Sequence, residues 1–122
     1  MKKINIVSHG IILGLGLLAA MATANAYYSD GVDFPSGPVY STGTVHNVPS
    51  GTPVEWVSGG QTHSFSGYYF AQVYINGGGL SISESGPDIN GIDMSTQSGN
   101  IDYTIYVGGS DASAWLDVYF EW

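Results

Sequence analysis

The sequence predicts an all-β fold, namely a small antiparallel β-sandwich or jelly-roll-like domain of six to seven strands. Three observations indicate this. After residue 26, apolar side chains recur at every second position, which is the period of a half-buried strand. Gly, Ser and Thr interrupt the chain at short intervals, as expected of tight turns. No segment beyond residue 26 has the 3.6-residue periodicity of an amphipathic helix.

The first 26 residues have the three parts of a secretory signal peptide. Lys2 and Lys3 give a positive start, Ile11–Met21 is the apolar middle, and residues 24–26 read Ala-Asn-Ala, a small-x-small cleavage site. The apolar run is shorter than the roughly 20 residues of a membrane-spanning helix. We therefore expect a signal peptide at residues 1–26 and one β-sandwich domain at residues 27–122. The expected location is extracellular, at the cell surface, or in the periplasm.

The first half of the predicted domain contains short strands. Tyr27–Gly37 has no clear alternation and is expected to be an irregular lead-in, whereas Pro38–Val48 is expected to be a weak strand. The segment PVEWVS places Val54 and Trp56 on one face of the next strand. The segment GGQT that follows is expected to turn the chain.

The second half contains two predicted hairpins. His63–Ile75 is the longest predicted strand, and the NGGG turn at Asn76–Gly79 joins it to LSISES, because Asn and Gly tolerate positive φ. A polar loop follows, in which IDMS is expected to form a short extra strand. The last hairpin joins IDYTIYV to the terminal SAWLDVYFEW, whose alternate residues Leu116, Val118 and Phe120 are expected to close the core.

Charge and cysteine content exclude several functions. The protein has two Lys and Arg residues and ten Asp and Glu residues; both lysines lie before residue 27 and all ten acids after it. The predicted mature chain therefore has a formal side-chain charge of −10 and no Lys or Arg to neutralise phosphates, which excludes nucleic-acid binding and electrostatic docking to anionic membranes. Because cysteine is absent, the domain needs a well-packed core, a bound cation or a neighbouring subunit for stability.

An acidic loop is a candidate calcium site. Its oxygen-bearing side chains are spaced along ESGPDINGID, where a glycine permits a tight turn, and calcium takes six to eight oxygen ligands. The same residue types are also common in ordinary solvated turns, and the spacing only partly matches the helix-loop-helix calcium pattern. The candidate ligands are Glu84, Asp88, Asn90 and Asp93.

Aromatic residues at the polar positions of the predicted strands are a candidate binding surface. Tyr and Trp give rigid contact area with a polar tip, which suits stacking on sugar rings and equally suits contacts between subunits. Period two alone does not identify the core face when both faces carry aromatic residues. The candidates are Tyr68, Phe70, Tyr74, Tyr106, Trp115 and Tyr119.

The sequence gives little support for catalysis. It contains no cysteine, no G-x-S-x-G motif and no phosphate-binding glycine loop with lysine. A hydrolase based on paired carboxylates stays open, because ten acids allow many pairs. We nevertheless predict a non-enzymatic protein.

Three functions are consistent with these features. The first is a secreted or cell-surface structural, filament, matrix or adhesive subunit that acts by association and forms homo-oligomers. The second is a small carbohydrate-binding module, with or without calcium, whose partner is a surface glycan. The third, based on the alternating terminal strand, is a membrane-inserting, pore-forming β protein.

Overall fold

The computed structural model describes residues 26–122. In that range the regular secondary structure consists of β-strands, which are joined by turns and short irregular segments. The predicted signal peptide therefore lies outside the described residues, apart from Ala26. The described part has eight strands, one more than the upper sequence prediction: β1 (Tyr27–Phe34), β2 (Tyr40–Val48), β3 (Pro53–Thr62), β4 (Tyr68–Gly77), β5 (Leu80–Gly86), β6 (Asn90–Met94), β7 (Gly99–Ser110) and β8 (Ala112–Glu121).

The strands form two four-stranded antiparallel sheets. The first sheet has the order β1-β8-β3-β6 and the second has the order β2-β7-β4-β5. Apart from the β4–β5 hairpin, each strand is followed in the chain by a strand of the opposite sheet. This order is that of a jelly roll, which confirms the predicted fold class.

The core lies between the two sheets and is built from the alternate residues of each strand. Leu116, Val118 and Phe120 are fully buried, as expected for a strand that closes the core. Their counterparts on β7 include Ile101 and Ile105, which are also fully buried. Each such side chain contributes about 1.5–3 kcal/mol on burial, which is how a chain without cysteine retains a stable fold.

An aromatic triad links the two sheets inside the core. The ring of Tyr103 on β7 lies 5.8 Å from that of Tyr28 on β1 and 6.0 Å from that of Phe120 on β8. The Tyr28 and Tyr103 hydroxyls are hydrogen-bonded to each other, and the Tyr103 hydroxyl also donates to Asp30 Oδ2 at 2.6 Å. Ser41 Oγ donates to the same oxygen at 2.5 Å. The Asp30 carboxylate therefore fixes β1 and β2 against β7.

Three predictions for individual segments are wrong. The lead-in at Tyr27–Gly37 contains the eight-residue strand β1, which pairs with β8 along its whole length. The GGQT segment belongs to β3, because its glycines are covered by aromatic rings rather than placed in a turn. Residues 63–67 form a turn closed by a hydrogen bond from Gly67 N to Ser64 O at 3.1 Å, so the longest predicted strand begins only at Tyr68.

The predicted terminal hairpin is also wrong. β7 pairs with β2 and β4, whereas β8 pairs with β1 and β3, so the two strands lie in different sheets and face each other across the core. Asp111 connects them with a φ of 47°. The hairpin between β4 and β5, in contrast, forms around Gly78 and Gly79 as predicted, and both glycines have positive φ.

Candidate functional site

The six aromatic residues predicted to face outward lie on two different surfaces. Tyr68, Phe70 and Tyr74 lie on β4 and Tyr106 lies on β7, with outward side chains on the second sheet. Trp115 and Tyr119 lie on β8, on the outer face of the first sheet. The structure therefore brings four of the six candidates together and places the other two on the opposite side of the molecule.

A fifth ring, which the sequence interpretation missed, completes the group on the second sheet. Tyr40 on β2 lies directly opposite Tyr106 in the ladder, so their side chains are neighbours on the same face. Tyr40 is 56% exposed. In the sequence, its spacing of two and four residues from Thr42 and Thr44 places it on the same polar face of the predicted strand, and this was the signal by which it could have been found. We call this surface the aromatic face and define it by Tyr40, Tyr68, Phe70, Tyr74 and Tyr106.

Two rings of the aromatic face, those of Phe70 and Tyr106, contact each other. The centroids of Phe70 and Tyr106 are 5.6 Å apart. Gly108 lies beside Phe70 in the ladder, and a Cβ at that position would come within 3.2 Å of the Phe70 ring. The missing side chain therefore lets Phe70 lie close to the sheet, while Tyr68 and Tyr74 extend into solvent with exposures of 57% and 46%.

Hydroxyl and amide groups surround these rings. Thr42 and Thr104 share a hydrogen bond of 3.0 Å, and Thr44 donates to Asp102 at 2.6 Å. Among the outward-facing residues of β2, β4, β5 and β7, Asp102 is the single acidic one. Other outward polar side chains of this sheet include Gln72, Asn76, Ser81, Ser83 and Ser85. The aromatic face is thus nearly uncharged, although the chain as a whole is strongly acidic.

Three of the four predicted calcium ligands, Glu84, Asp88 and Asn90, line one open pocket of about 490 Å³, and Asp93 lies outside it. Glu84 Oε1 accepts a hydrogen bond from the Trp56 indole at 2.7 Å, which links the two sheets. The Asp88 carboxylate accepts the Tyr69 hydroxyl at 3.0 and 3.1 Å. Asp93 Oδ1 accepts the backbone N–H of Met94 at 2.8 Å, and Asn90 begins β6. Glu84 and Asp88 thereby connect β5 and the segment after it to β3 and β4.

Residues 26–122 offer neither a ready-made metal cluster nor a helix of membrane-spanning length. No group of three or more His, Asp or Glu side chains in this range could hold a metal ion. No helix of the same residues is long and apolar enough to cross a membrane.

The outer face of the first sheet is partly closed by its own aromatic rings. Tyr119 is fully buried, so the prediction of an exposed ring at this position is wrong. It packs with Val57, and the half-buried rings of Tyr27 and Trp115 cover the pair. Trp115 lies across Gly59, where a Cβ would come within 2.8 Å of the indole.

A buried carboxylate lies within this cluster. Asp117 is 0% exposed, between Gly31 on β1 and Val57 on β3, and its Oδ2 accepts the Tyr119 hydroxyl at 3.3 Å. Burial, with a smaller contribution from nearby carboxylates, raises the pKa of Asp117 to about 7. Burial also raises the pKa of Glu55, which lies opposite Tyr119 on β3. Sequence alternation placed Asp117 among solvated polar positions and gave no sign of this burial.

Comparisons with known proteins give structural similarities at low identity. Neither a protein-family model nor a curated protein sequence matches this chain. A capsid structure of Helicobacter pylori bacteriophage KHP30 is 12% identical with a TM-score of 0.40, covering 82% of this chain and 90% of that one. A carbohydrate-binding module in complex with calcium and xylotriose is 12% identical with a TM-score of 0.35, covering 80% and 92%.

A third similar structure is the carbohydrate-binding module of Cellvibrio mixtus lichenase 5A in complex with cellotriose. It is 10% identical with a TM-score of 0.35, and the match covers 80% of this chain and 88% of that one. The neighbours therefore include a capsid protein and carbohydrate-binding modules, which are all similar to this chain in overall architecture alone.

Proposed function

We propose that this chain is an exported, non-enzymatic binding module that attaches to a neutral polysaccharide through the aromatic face. The observation that carries the proposal is the grouping of five aromatic rings with hydroxyl and amide side chains on one nearly uncharged surface. Such a surface offers apolar ring faces for the C–H side of a sugar. It also offers donors and acceptors for the sugar hydroxyl groups at the edges of the rings.

The charge distribution favours a neutral ligand. The predicted mature chain carries ten acidic residues and no Lys or Arg, so an anionic polymer is repelled at long range. A polycationic ligand would find a single carboxylate, Asp102, on the aromatic face, and that group already accepts the Thr44 hydroxyl. Stacking and neutral hydrogen bonds are therefore the interactions that this face offers.

A glycan array of neutral oligosaccharides, followed by calorimetric titration of the best ligand, tests this proposal. We expect Tyr68→Ala and Tyr106→Ala each to weaken binding roughly tenfold, because each removes a stacking ring worth about 1 kcal/mol or more. Trp115→Ala is the matched control, since it removes an aromatic ring from the other sheet and is expected to leave the affinity unchanged. Absence of binding across the array would contradict the proposal. So would equal affinities of the two aromatic-face variants and the Trp115→Ala control for the best ligand.

Self-association is a second candidate, favoured by the edge strand β6. This strand pairs with β3 on one side and with no strand of the described residues on the other. Ile92 and Met94 on it are each 47% exposed. An unpaired edge with exposed apolar side chains is a template for pairing with another copy.

Light scattering after size-exclusion chromatography tests the second candidate. We expect concentration-dependent dimers or larger assemblies of the unaltered protein, and monomers of Ile92→Lys, because a lysine on an edge strand opposes pairing. Ser83→Lys, on the other sheet, is the control and is expected to assemble like the unaltered protein. A stable monomer at high protein concentration would exclude self-association as the function.

A further inference from the structure

The outer face of the first sheet contains a second candidate site, independent of the aromatic face. We call it the Asp117 site and define it by Tyr27, Glu55, Trp115, Asp117 and Tyr119. Asp117 lies at its centre, one outward position from Trp115 and one from Tyr119 along β8. Gly31, which is opposite Asp117 on β1, contributes no side chain to the layer.

Two carboxylate oxygens in the Asp117 site are buried and have no hydrogen-bond partner among the described residues. These atoms are Asp117 Oδ1 and Glu55 Oε1. A buried, unpaired carboxylate oxygen costs free energy unless a proton or a cation compensates it. Residues 27–122 include no Lys or Arg, and the histidines of that range lie on β2 and in the turn after β3. No Lys, Arg or His side chain of residues 27–122 therefore supplies a cation to this site.

The walls of the site are aromatic. Tyr27 and Trp115 are half-buried and pack against the Val57–Tyr119 pair. The faces of such rings attract cations, most strongly that of Trp, and several rings together favour alkylated ammonium groups. A cavity of about 330 Å³ borders Trp115 and is also lined by Asp33, Gln61 and Ser113. Trp115 is the residue that this cavity shares with the Asp117 site.

The number of oxygen ligands distinguishes an organic cation from a metal ion. Calcium takes six to eight oxygens, whereas no three acidic or histidine side chains of residues 26–122 are grouped closely enough for a metal. An ammonium group needs only one or two carboxylates and the faces of neighbouring rings. We propose that the Asp117 site binds an alkylammonium group, with Asp117 and Glu55 as its counter-charges and Trp115 and Tyr27 as its aromatic walls.

The protonation of Asp117 sets the pH at which binding occurs. The titratable groups around it on the outer face are Asp33 and Tyr27 on β1, Glu55 on β3, and Tyr119 and Glu121 on β8, and Asp30 acts on it from the core side of β1. All of these are acidic or phenolic, so none supplies a positive charge, and the carboxylates disfavour ionisation of Asp117. Since its pKa is about 7, an ammonium ligand is expected to bind more tightly at pH 8 than at pH 5.5.

Thermal unfolding of the purified protein with two ammonium probes tests the proposal. The probes are choline chloride and Nα-acetyl-lysine methylamide, compared with NaCl at equal ionic strength and with the uncharged Nα,Nε-diacetyl analogue. At pH 8 we expect at least one probe to raise the Tm by about 4 °C or more over both controls. Choline tests for a quaternary ammonium ligand and the lysine derivative tests for a lysine side chain. A rise in Tm with either probe supports the proposed ammonium site.

Variants locate the response. Asp117→Asn keeps the shape and removes the charge, so it is expected to abolish the shift, and Glu55→Gln is expected to reduce it. Tyr106→Ala on the aromatic face is the control and is expected to respond like the unaltered protein. Two results would overturn the proposal. In the first, neither probe raises the Tm of the unaltered protein above its value in NaCl. In the second, Asp117→Asn and Glu55→Gln both show the same rise in Tm as the unaltered protein. Neither result bears on glycan binding, which belongs to the other sheet.

Discussion

Asp117 shows how one residue in the middle of a strand can set the pH dependence of a small domain. Burial opposes ionisation of its carboxyl group and raises the pKa from an ordinary value of 3.8 to about 7 in the folded protein. A raised pKa means that the folded state binds the proton more tightly than the unfolded state. The resulting stabilisation is therefore complete below pH 4 and is lost as the pH rises through 7.

We expect Asp117→Asn to remove this part of the pH dependence. The amide is neutral at every pH and similar in shape, so the variant should be more stable than the unaltered protein at pH 8. The difference is on the order of 4 kcal/mol at most, from a shift of about three pKa units in a fully buried group. Urea unfolding at pH 4 and pH 8 measures it. Equal slopes of stability against pH in the two proteins would show that Asp117 is not the group responsible.

At the scale of the strands, alternation predicted the β4–β5 hairpin, whose strands are adjacent in the chain, and the buried face of β8, but not the strands with which β8 pairs. The β4–β5 hairpin follows from an NGGG turn, and the buried positions of β8 follow from Leu116, Val118 and Phe120. Alternation does not reveal β1, because Asp30 interrupts its inward apolar positions. That carboxylate is tolerated inside because Ser41 and Tyr103 donate hydrogen bonds to it. Partners so distant in sequence leave no local signal.

The same limit explains which parts of the candidate sites could be predicted. Four of the predicted rings share one surface because β4 and β7 are neighbours in the second sheet, whereas β8 carries the other two to the first sheet. Period two assigns faces within a strand but does not assign strands to sheets. For the acidic loop, residue types indicated calcium but gave no sign that Glu84 Oε1 accepts a hydrogen bond from Trp56 on β3. That contact crosses the sandwich and depends on the complete fold.

For the whole molecule, the distribution of charge is the dominant electrostatic feature. Residues 27–122 contain ten acidic side chains and no Lys or Arg, so most pairwise charge interactions within the domain are repulsive. Mobile ions screen exposed charges over about 10 Å at 0.1 M salt, but they screen buried ones much less. The effect of salt can therefore separate the general repulsion from the cost of ionising Asp117.

We expect NaCl to stabilise this protein at pH 8, with a Tm that rises by a few degrees between about 10 and 300 mM, because screening reduces repulsion among the exposed carboxylates. The control is the same addition at a pH well below the ordinary pKa range of carboxyl groups, where the net negative charge is small and NaCl should have little effect. At the higher salt concentration a fall in stability from pH 5 to pH 8 should persist in the unaltered protein and be smaller in Asp117→Asn, in which Glu55 still contributes. Scanning calorimetry of both proteins at the two salt concentrations measures these differences. A Tm that falls with NaCl at pH 8 would mean that attractive interactions outweigh the repulsion, contrary to the charge distribution of this chain.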